Sequence, residues 1–387
     1  MPALAVAVRQ PVLLLLGAAA ASGWLALPLL RHAPNRLLSG RPLGLSALGE
    51  PGGVVVAASL ALLASAFVRR SRASSWATLA AGWALVFGYL AAAGWAASDL
   101  AAHSSETART SLGTGGWLVL LAGLLAEAEA TRALRLPPLG RLAIFAVAAL
   151  GLALPAALGW IDQLSLAREW RAKQDVFGDA LWRHGVIVLG SLAPTLVIGL
   201  PLGFLAHRSA RFRGPLLSTL SLIQTIPSIA LFGLLMAPLT ALGEALPFLR
   251  DIGVRGVGLT PAILALTLYA LLPIVRNTVS GLDSAPASVL EAASGQGMTP
   301  AQVFFHVEAP LAAPVLLAGL RITVVQTIGL AAVAALIGAG GLGALMFQGL
   351  FANAVDLILL GAVPIVALAV TADVLFRLAV EGLRAPA

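Results

Sequence analysis

At 387 residues, 59% hydrophobic and only 11% charged, the chain has too little polar surface for a soluble domain, where about 25% of residues are charged. Its length allows about ten membrane crossings of about 20 residues each. Without any Cys, a disulfide framework, a thiolate nucleophile and a thiolate-bound metal are excluded. A net charge of +7 and a pI near 11 would suggest nucleic acid in a soluble protein. Here, however, the basic residues are nearly all Arg in short loops, the distribution that sets topology in a bilayer.

The first apolar run, Pro11 to Leu30, follows Arg9. It is too long for a signal-peptide core and no small-residue cleavage site precedes the charged segment after it, so a retained anchor is expected. Further runs at Gly52–Val68, Trp76–Ala97, Leu112–Glu127 and Arg141–Trp160 predict four more crossings, the fourth shortened by Glu127 and Glu129. The short basic loops Arg69–Arg72 and Arg132–Arg141 belong on the cytoplasmic side.

Ile161 to Leu181 is the most polar segment, with acids and bases mixed, and it separates two compositions. All eight Trp lie between Trp24 and Trp182, and none in the last 205 residues. These features predict an N-terminal membrane region over 1–160, an extracytoplasmic linker over 161–181 and a core over 182–387. An amphipathic surface helix is expected at Leu164–Phe177.

Five crossings are expected in the core: His184–His207, Leu216–Leu239, Thr260–Leu282, Leu311–Ile337 and Leu357–Val380. Arg208, Arg211 and Arg213, with no acid among them, fix the first loop inside. Counting crossings from there places 283–310 inside, and both termini as well. Pro194 and Pro201 interrupt the first core span, where Gly199 and Gly203 have close-packing spacing. Pro227, Pro238, Pro273, Pro314 and Pro364 fall in later ones. The carbonyls they free are tolerated in lipid only where protein or a water-filled cavity satisfies them. A polytopic all-α bundle that encloses a pathway fits this pattern.

Between the third and fourth core spans, residues 283–310 are too polar and too broken by Pro and Gly to cross. Pro286 suits a first helical turn, Gly295 and Gly297 permit the positive backbone angles that end a helix, and Thr299 with Gln302 forms a capping box that opens a second helix toward Glu308. The expected product is a water-facing helical hairpin, a docking element for something outside the membrane.

Glu291-Ala292-Ala293, three residues, Gly297, nine residues, then Val307-Glu308-Ala309-Pro310 resembles the EAA loop of membrane subunits of ATP-binding-cassette importers. Val307 stands for the family's Ile and Ala309 for its Leu, the second change removing bulk. The resemblance continues over about Ala180 to Val380. The runs LIQTIPSIALFGLL, PAILALTLYALLPIVRNTVSGL and VVQTIGLAAVAALIGAGGLG are similar to importers of glycine betaine, choline, carnitine and related osmoprotectants, and the extra N-terminal spans to the longer members of that group. The resemblance implies the type I importer permease fold, with Glu291, Ala292, Ala293, Gly297, Thr299 and Pro310 in the ATPase-coupling loop. It also implies cytoplasmic ATP-binding subunits, a second permease subunit (identical or homologous) and an extracytoplasmic solute-binding protein as partners in a bacterial inner membrane. A permease for another small, amino-acid-like solute is the alternative within the class.

No nucleotide site is expected in this chain, nor any cofactor or metal. G-x-x-x-x-G-K-[ST] is absent and Lys173 is the only Lys. Gly338 to Gly343 matches G-x-G-x-x-G but follows an apolar span rather than a strand, which makes it a flexible extracytoplasmic turn. His32, His103, His184, His207 and His306 lack metal spacing, and each is expected near a span end or loop. Arg321, Asp373 and Glu381 are the intramembrane charges; Arg321 is expected to snorkel and Asp373 to pair with Arg377. With Tyr89 and Tyr269 the only Tyr and no Trp after Trp182, no aromatic cage for a quaternary ammonium is legible. Gln224 and Gln326 are candidate pathway-lining residues. A secondary transporter needs paired mid-membrane polar residues and an intramembrane hydrolase a Ser, His or acid constellation; the sequence shows neither.

Overall fold

The apolar runs fold as helices whose ends are set by neighbouring prolines and by tertiary contacts. In the computed structural model, which describes residues 8–35, 38–251 and 253–384, the chain divides into two units, Met1–Ala172 and Lys173–Ala387.

In the first unit, α1 covers only Pro11–Leu25, not the whole run to Leu30. Pro28 cannot supply a helical N–H and biases the residue before it toward extended backbone, so Leu30–Ala33 leaves as strand β1. β1 pairs antiparallel with β2 (Arg41–Leu43) on one side and β3 (Arg109–Leu112) on the other. This small sheet is an addition to the expected helical bundle. Its strands are three or four residues long, too short for a readable alternation. The Leu29 carbonyl accepts from the Tyr89 hydroxyl at 2.7 Å and from the Gly113 N–H at 2.7 Å, which pins the sheet to the bundle.

That bundle consists of α1, α2 (Gly52–Ser65), α3 (Arg72–Ala102), α4 (Thr114–Leu134) and α5 (Pro138–Ala157). α4 does not stop at Glu127. That residue is buried beside Gly82, and Gly82 faces Gly123 so closely that a Cβ on either would lie 3.0 Å from the other's carbonyl oxygen. Glu129 contacts Arg70 at 3.4 Å and Arg132 at 2.8 Å, so both basic loops share one end of the unit. The sheet caps the other end. There the short helix α6 (Ser165–Ala172) is tied down by Arg168, which donates to the Ala108 and Glu106 carbonyls at 2.7 and 2.6 Å.

The second unit begins with α7 (Gln174–Arg208), whose 35 residues span about 52 Å at about 1.5 Å per residue. The expected crossing over Leu216–Leu239 is two helices, α8 (Ala210–Thr225) and α9 (Ser228–Ala245). Ile226 is extended, at φ −72° and ψ 127°, because it precedes Pro227. After the short α10 (Pro247–Asp251), α11 (Leu259–Asp283) lies along α7. Gly199 and Gly203 admit Ile274 and Thr278 at this contact, where a Cβ would come within 2.9 and 2.5 Å of them. α12 (Ala287–Gly295) and α13 (Pro300–Val303) form the hairpin that leads into α14 (Ala309–Ala331).

α14 ends six residues before the expected limit at Ile337; a 3-10 turn over Val333–Ile337 follows, then α15 (Leu342–Phe351), which no apolar-run reading anticipated, and α16 (Val355–Arg384). The glycine-rich turn between the 3-10 turn and α15 is packed rather than loose: Ala339 and Leu342 are fully buried. Among the described residues, seven helices are long and apolar enough to cross a membrane, and three shorter ones, α1, α2 and α15, are also apolar.

Candidate functional site

The hairpin between α11 and α14 is built largely by local chemistry. Pro286, extended at ψ 131°, starts α12. Gly297, at φ +85°, reverses the chain, a conformation that costs other L-residues about 1–2 kcal/mol. Gly295, by contrast, stays helical as the last residue of α12. The capping box forms as the sequence requires, with the Thr299 N–H donating to Gln302 Oε1 at 2.8 Å and the Gln302 N–H to Thr299 Oγ1 at 3.4 Å. After α13 the backbone widens into a π-helical turn, Phe304–Glu308, a feature that recurs at functional sites.

Glu291, Ala292, Gly297, Thr299 and Pro310 are all exposed, whereas Ala293 is buried. A Cβ at Gly295 or Gly297 would meet no atom of the chain within 4 Å. Val289 and Phe305 also stand out, Phe305 at 68% exposure. This exposed apolar ring packs edge-to-face on Phe304 (5.0 Å between centroids), and Phe304 packs on Phe204 of α7 at 5.1 Å.

At the root of the hairpin lies a group that the sequence reading did not assemble. Glu308, with a side chain only 3% exposed, has Oε1 2.9 Å from His207 Nε2 and Oε2 3.0 Å from Arg208 Nη2. The other ring nitrogen of His207 lies 2.7 Å from Asp283 Oδ1, and Asp283 Oδ2 lies 2.9 Å from Arg213 Nη1. Asp283 and Glu308, the acids at the two hairpin roots, are the signal the sequence carries for this group, and Arg208 and Arg213 are the bases that meet them.

The other candidates are dispersed. Gln224 donates to the Tyr269 carbonyl at 2.7 Å, and the Tyr269 hydroxyl donates to the Ile226 carbonyl. Both bonds brace the α8–α9 break. Gln326 is exposed on α14, and no hydrogen bond among the described residues joins it to Gln224. His184 is fully buried in the protein, its Nε2 3.1 Å from the Ile328 carbonyl. Nor does Arg321 merely snorkel, since its Nη1 is 3.7 Å from Asp373 Oδ1, while Asp373 also holds Arg377 at 2.7 Å.

A multi-helix membrane bundle with one wet, exposed helical hairpin rooted in ion pairs defines a transport subunit built to be driven from outside the bilayer. Residues 195–385 match the family described as binding-protein-dependent transport system inner membrane component, and residues 8–167 match the N-terminal domain of ABC transporter permease YehY. Over 192 residues the chain is 42% identical to the osmoprotectant import permease protein OsmW of Salmonella typhimurium, covering 50% of this chain and 84% of that protein. It is 38% identical to the carnitine transport permease protein OpuCB of Listeria monocytogenes, covering 50% and 81%. With the choline transport system permease protein OpuBB of Bacillus subtilis the identity is 37%, covering 51% and 84%. An inward-facing structure of the MetNI methionine ABC transporter aligns at 26% identity with a TM-score of 0.47, over 55% of this chain and 98% of that one. The chain belongs to the family of inner-membrane permease subunits of binding-protein-dependent, ATP-binding-cassette importers, and its N-terminal region is of the YehY type. It is a multi-pass membrane subunit, and ATP is hydrolysed by a separate subunit.

Proposed function

We propose that this chain forms the translocation path of an osmoprotectant importer, for glycine betaine, carnitine, choline or a related quaternary ammonium solute. The observation that carries this reading is the exposed hairpin of α12 and α13, set in a half-chain whose relatives are named for osmoprotectant, carnitine and choline import. In this reading the cytoplasmic ATPase docks on Glu291, Ala292, Gly297 and Thr299, with the buried Ala293 packing α12 beneath them and Pro310 fixing the return into α14. A second permease subunit completes the path, and a binding protein delivers solute from the outer face. Both termini face the cytoplasm, 1–160 is an accessory membrane region and 161–181 an outer linker. Gln224 and Gln326 are candidate path-lining groups. ATP binding biases an inward-open against an outward-open arrangement, and solute moves by that population shift. With no Trp in the second half of the chain, solute choice falls mainly to the binding protein.

Two measurements test this. Because the natural chain has no Cys, Ser294→Cys gives a single thiol on the hairpin, and a membrane-impermeant maleimide should label it only in inverted vesicles. Proteoliposomes holding the permease and its ATPase should take up radiolabelled glycine betaine, carnitine or choline only with ATP and binding protein. Labelling in right-side-out vesicles, or uptake that continues without the ATPase, would overturn the reading.

A further inference from the structure

We propose that Arg213, Asp283, His207, Glu308 and Arg208 form a positioning joint that makes α7, α8, α11 and α14 move with the hairpin as one body. The proposal rests on the permease reading above and assigns the coupling to residues outside the Glu-Ala-Ala stretch. Burying an ionised carboxylate costs several kcal/mol unless its partners are good. Glu308 is nonetheless 2% exposed, and each of its oxygens has its own basic partner, His207 at 2.9 Å and Arg208 at 3.0 Å. Asp283 is served the same way, by His207 at 2.7 Å and Arg213 at 2.9 Å. An ionised carboxylate can only accept, so both ring nitrogens of His207 must carry protons for the two contacts to hold together. With both protons in place the ring is the middle member of a +/−/+/−/+ row.

The placement of the row gives it a task. Asp283 is the last residue of α11, where the chain leaves for the hairpin, and Glu308 ends the π-helical turn through which it returns. His207 and Arg208 close α7, and Arg213 lies in the first turn of α8. The groups facing His207 are Asp283 from α11 and Glu308 from the π-helical turn, with Arg208 on its own helix and Arg213 on α8 beyond them. A second, apolar contact runs beside the row: Phe304 of the same turn packs on Phe204 of α7, and the Arg208 guanidinium stands 5.3 Å above the Phe204 ring. Without the row the hairpin keeps its covalent roots in α11 and α14 and the Phe304–Phe204 edge contact with α7. A single edge-to-face ring contact is a weak tie, so a docked motor could swing the hairpin without carrying α7 and α8.

A joint of this kind affects transport per ATP, not hydrolysis itself. The full-length permease, reconstituted with its ATPase and binding protein, is assayed for ATP hydrolysis and uptake of radiolabelled glycine betaine, carnitine and choline. Glu308→Gln and His207→Gln should lower the uptake-to-hydrolysis ratio by roughly tenfold, inside the ~5–150-fold range of site-to-site couplings, while hydrolysis stays within about twofold of wild type. His207→Lys keeps a cation between the two carboxylates and should retain most of the ratio. Asp283→Asn alters the half-exposed end of the row, where misfolding is not expected, and should lower the ratio as well. An unchanged ratio in Asp283→Asn and His207→Gln would overturn the joint, as would His207→Lys behaving like His207→Gln. Wild-type liposomes without ATP-driven uptake of any of the three solutes would overturn the permease reading, and the joint with it.

Discussion

Gly203→Ala tests the closest helix contact of the second unit. The added Cβ would lie 2.5 Å from Thr278 Cβ and 2.7 Å from its Cγ2, whereas carbon atoms rest at about 3.5–4.0 Å. Thr278 cannot rotate away cheaply, because it is β-branched, buried, and donates its hydroxyl to the Ile274 carbonyl at 2.8 Å. The helices must therefore part by about 1 Å, the shortfall from normal carbon contact, and the same movement opens the Gly199–Ile274 contact one turn away. Overpacking of this kind costs ~1–3 kcal/mol, and ~2–4 °C per kcal/mol gives a drop in Tm of about 2–12 °C. Since the chain has no Cys, Ala265→Cys, fully buried on α11, reports unfolding of this unit through a thiol-reactive dye on heating in detergent. Gly185→Ala in the same α7 meets no atom within 4 Å and should instead raise Tm, by removing a helix penalty of ~0.5–1 kcal/mol. In a Thr278→Gly background, Gly203→Ala should lose most of its cost. If its cost is the same in both backgrounds, α7 and α11 do not meet at these residues.

Gly297→Ala should weaken ATPase docking by about 5–30-fold, the equivalent of ~1–2 kcal/mol for a positive φ, whereas Gly297→Asn should stay close to wild type because Asn tolerates that region; titration of the purified ATPase subunit on permease in nanodiscs measures both, and equal losses in the two would point to a clash with the partner. Burial, with the Arg41 charge nearby, holds the His32 imidazole below its ordinary 6.5, while its nitrogens lie 2.9 Å from Thr110 Oγ1 and 3.1 Å from Ser104 Oγ. The folded state thus favours the neutral ring, so the stabilisation is complete above pH 6.5 and is lost as pH falls toward the lowered value. His32→Gln should flatten the thermal-stability-against-pH curve on the acid side of pH 6.5, and an unchanged slope would refute the assignment. Gln224→Leu removes the brace on the Tyr269 carbonyl at a cost of about 1–3 kcal/mol. A drop in Tm with unchanged solute KM would assign Gln224 to the helix break, and the reverse pattern to the path.

What the sequence determined by itself was whatever depends on neighbours a few residues apart. The apolar runs dictate helices in a bilayer because only there does every backbone polar group find a partner within the segment. The Thr299–Gln302 box, the reversal at Gly297 and the Asp373–Arg377 pair all act over three or four positions, so their chemistry can be read from spacing. Tertiary structure decided the remainder. α1 ends at Leu25 because Pro28 turns the chain into a sheet whose third strand begins at Arg109. Glu127 lies within a continuous helix because Gly82 lets another helix come close, and His184 is buried where the Ile328 carbonyl, 144 positions away, accepts from its Nε2–H. The row of charges at the hairpin root joins residues 76 and 100 positions apart. No periodicity encodes such a pairing; it exists only once packed helices bring those ends to the same point.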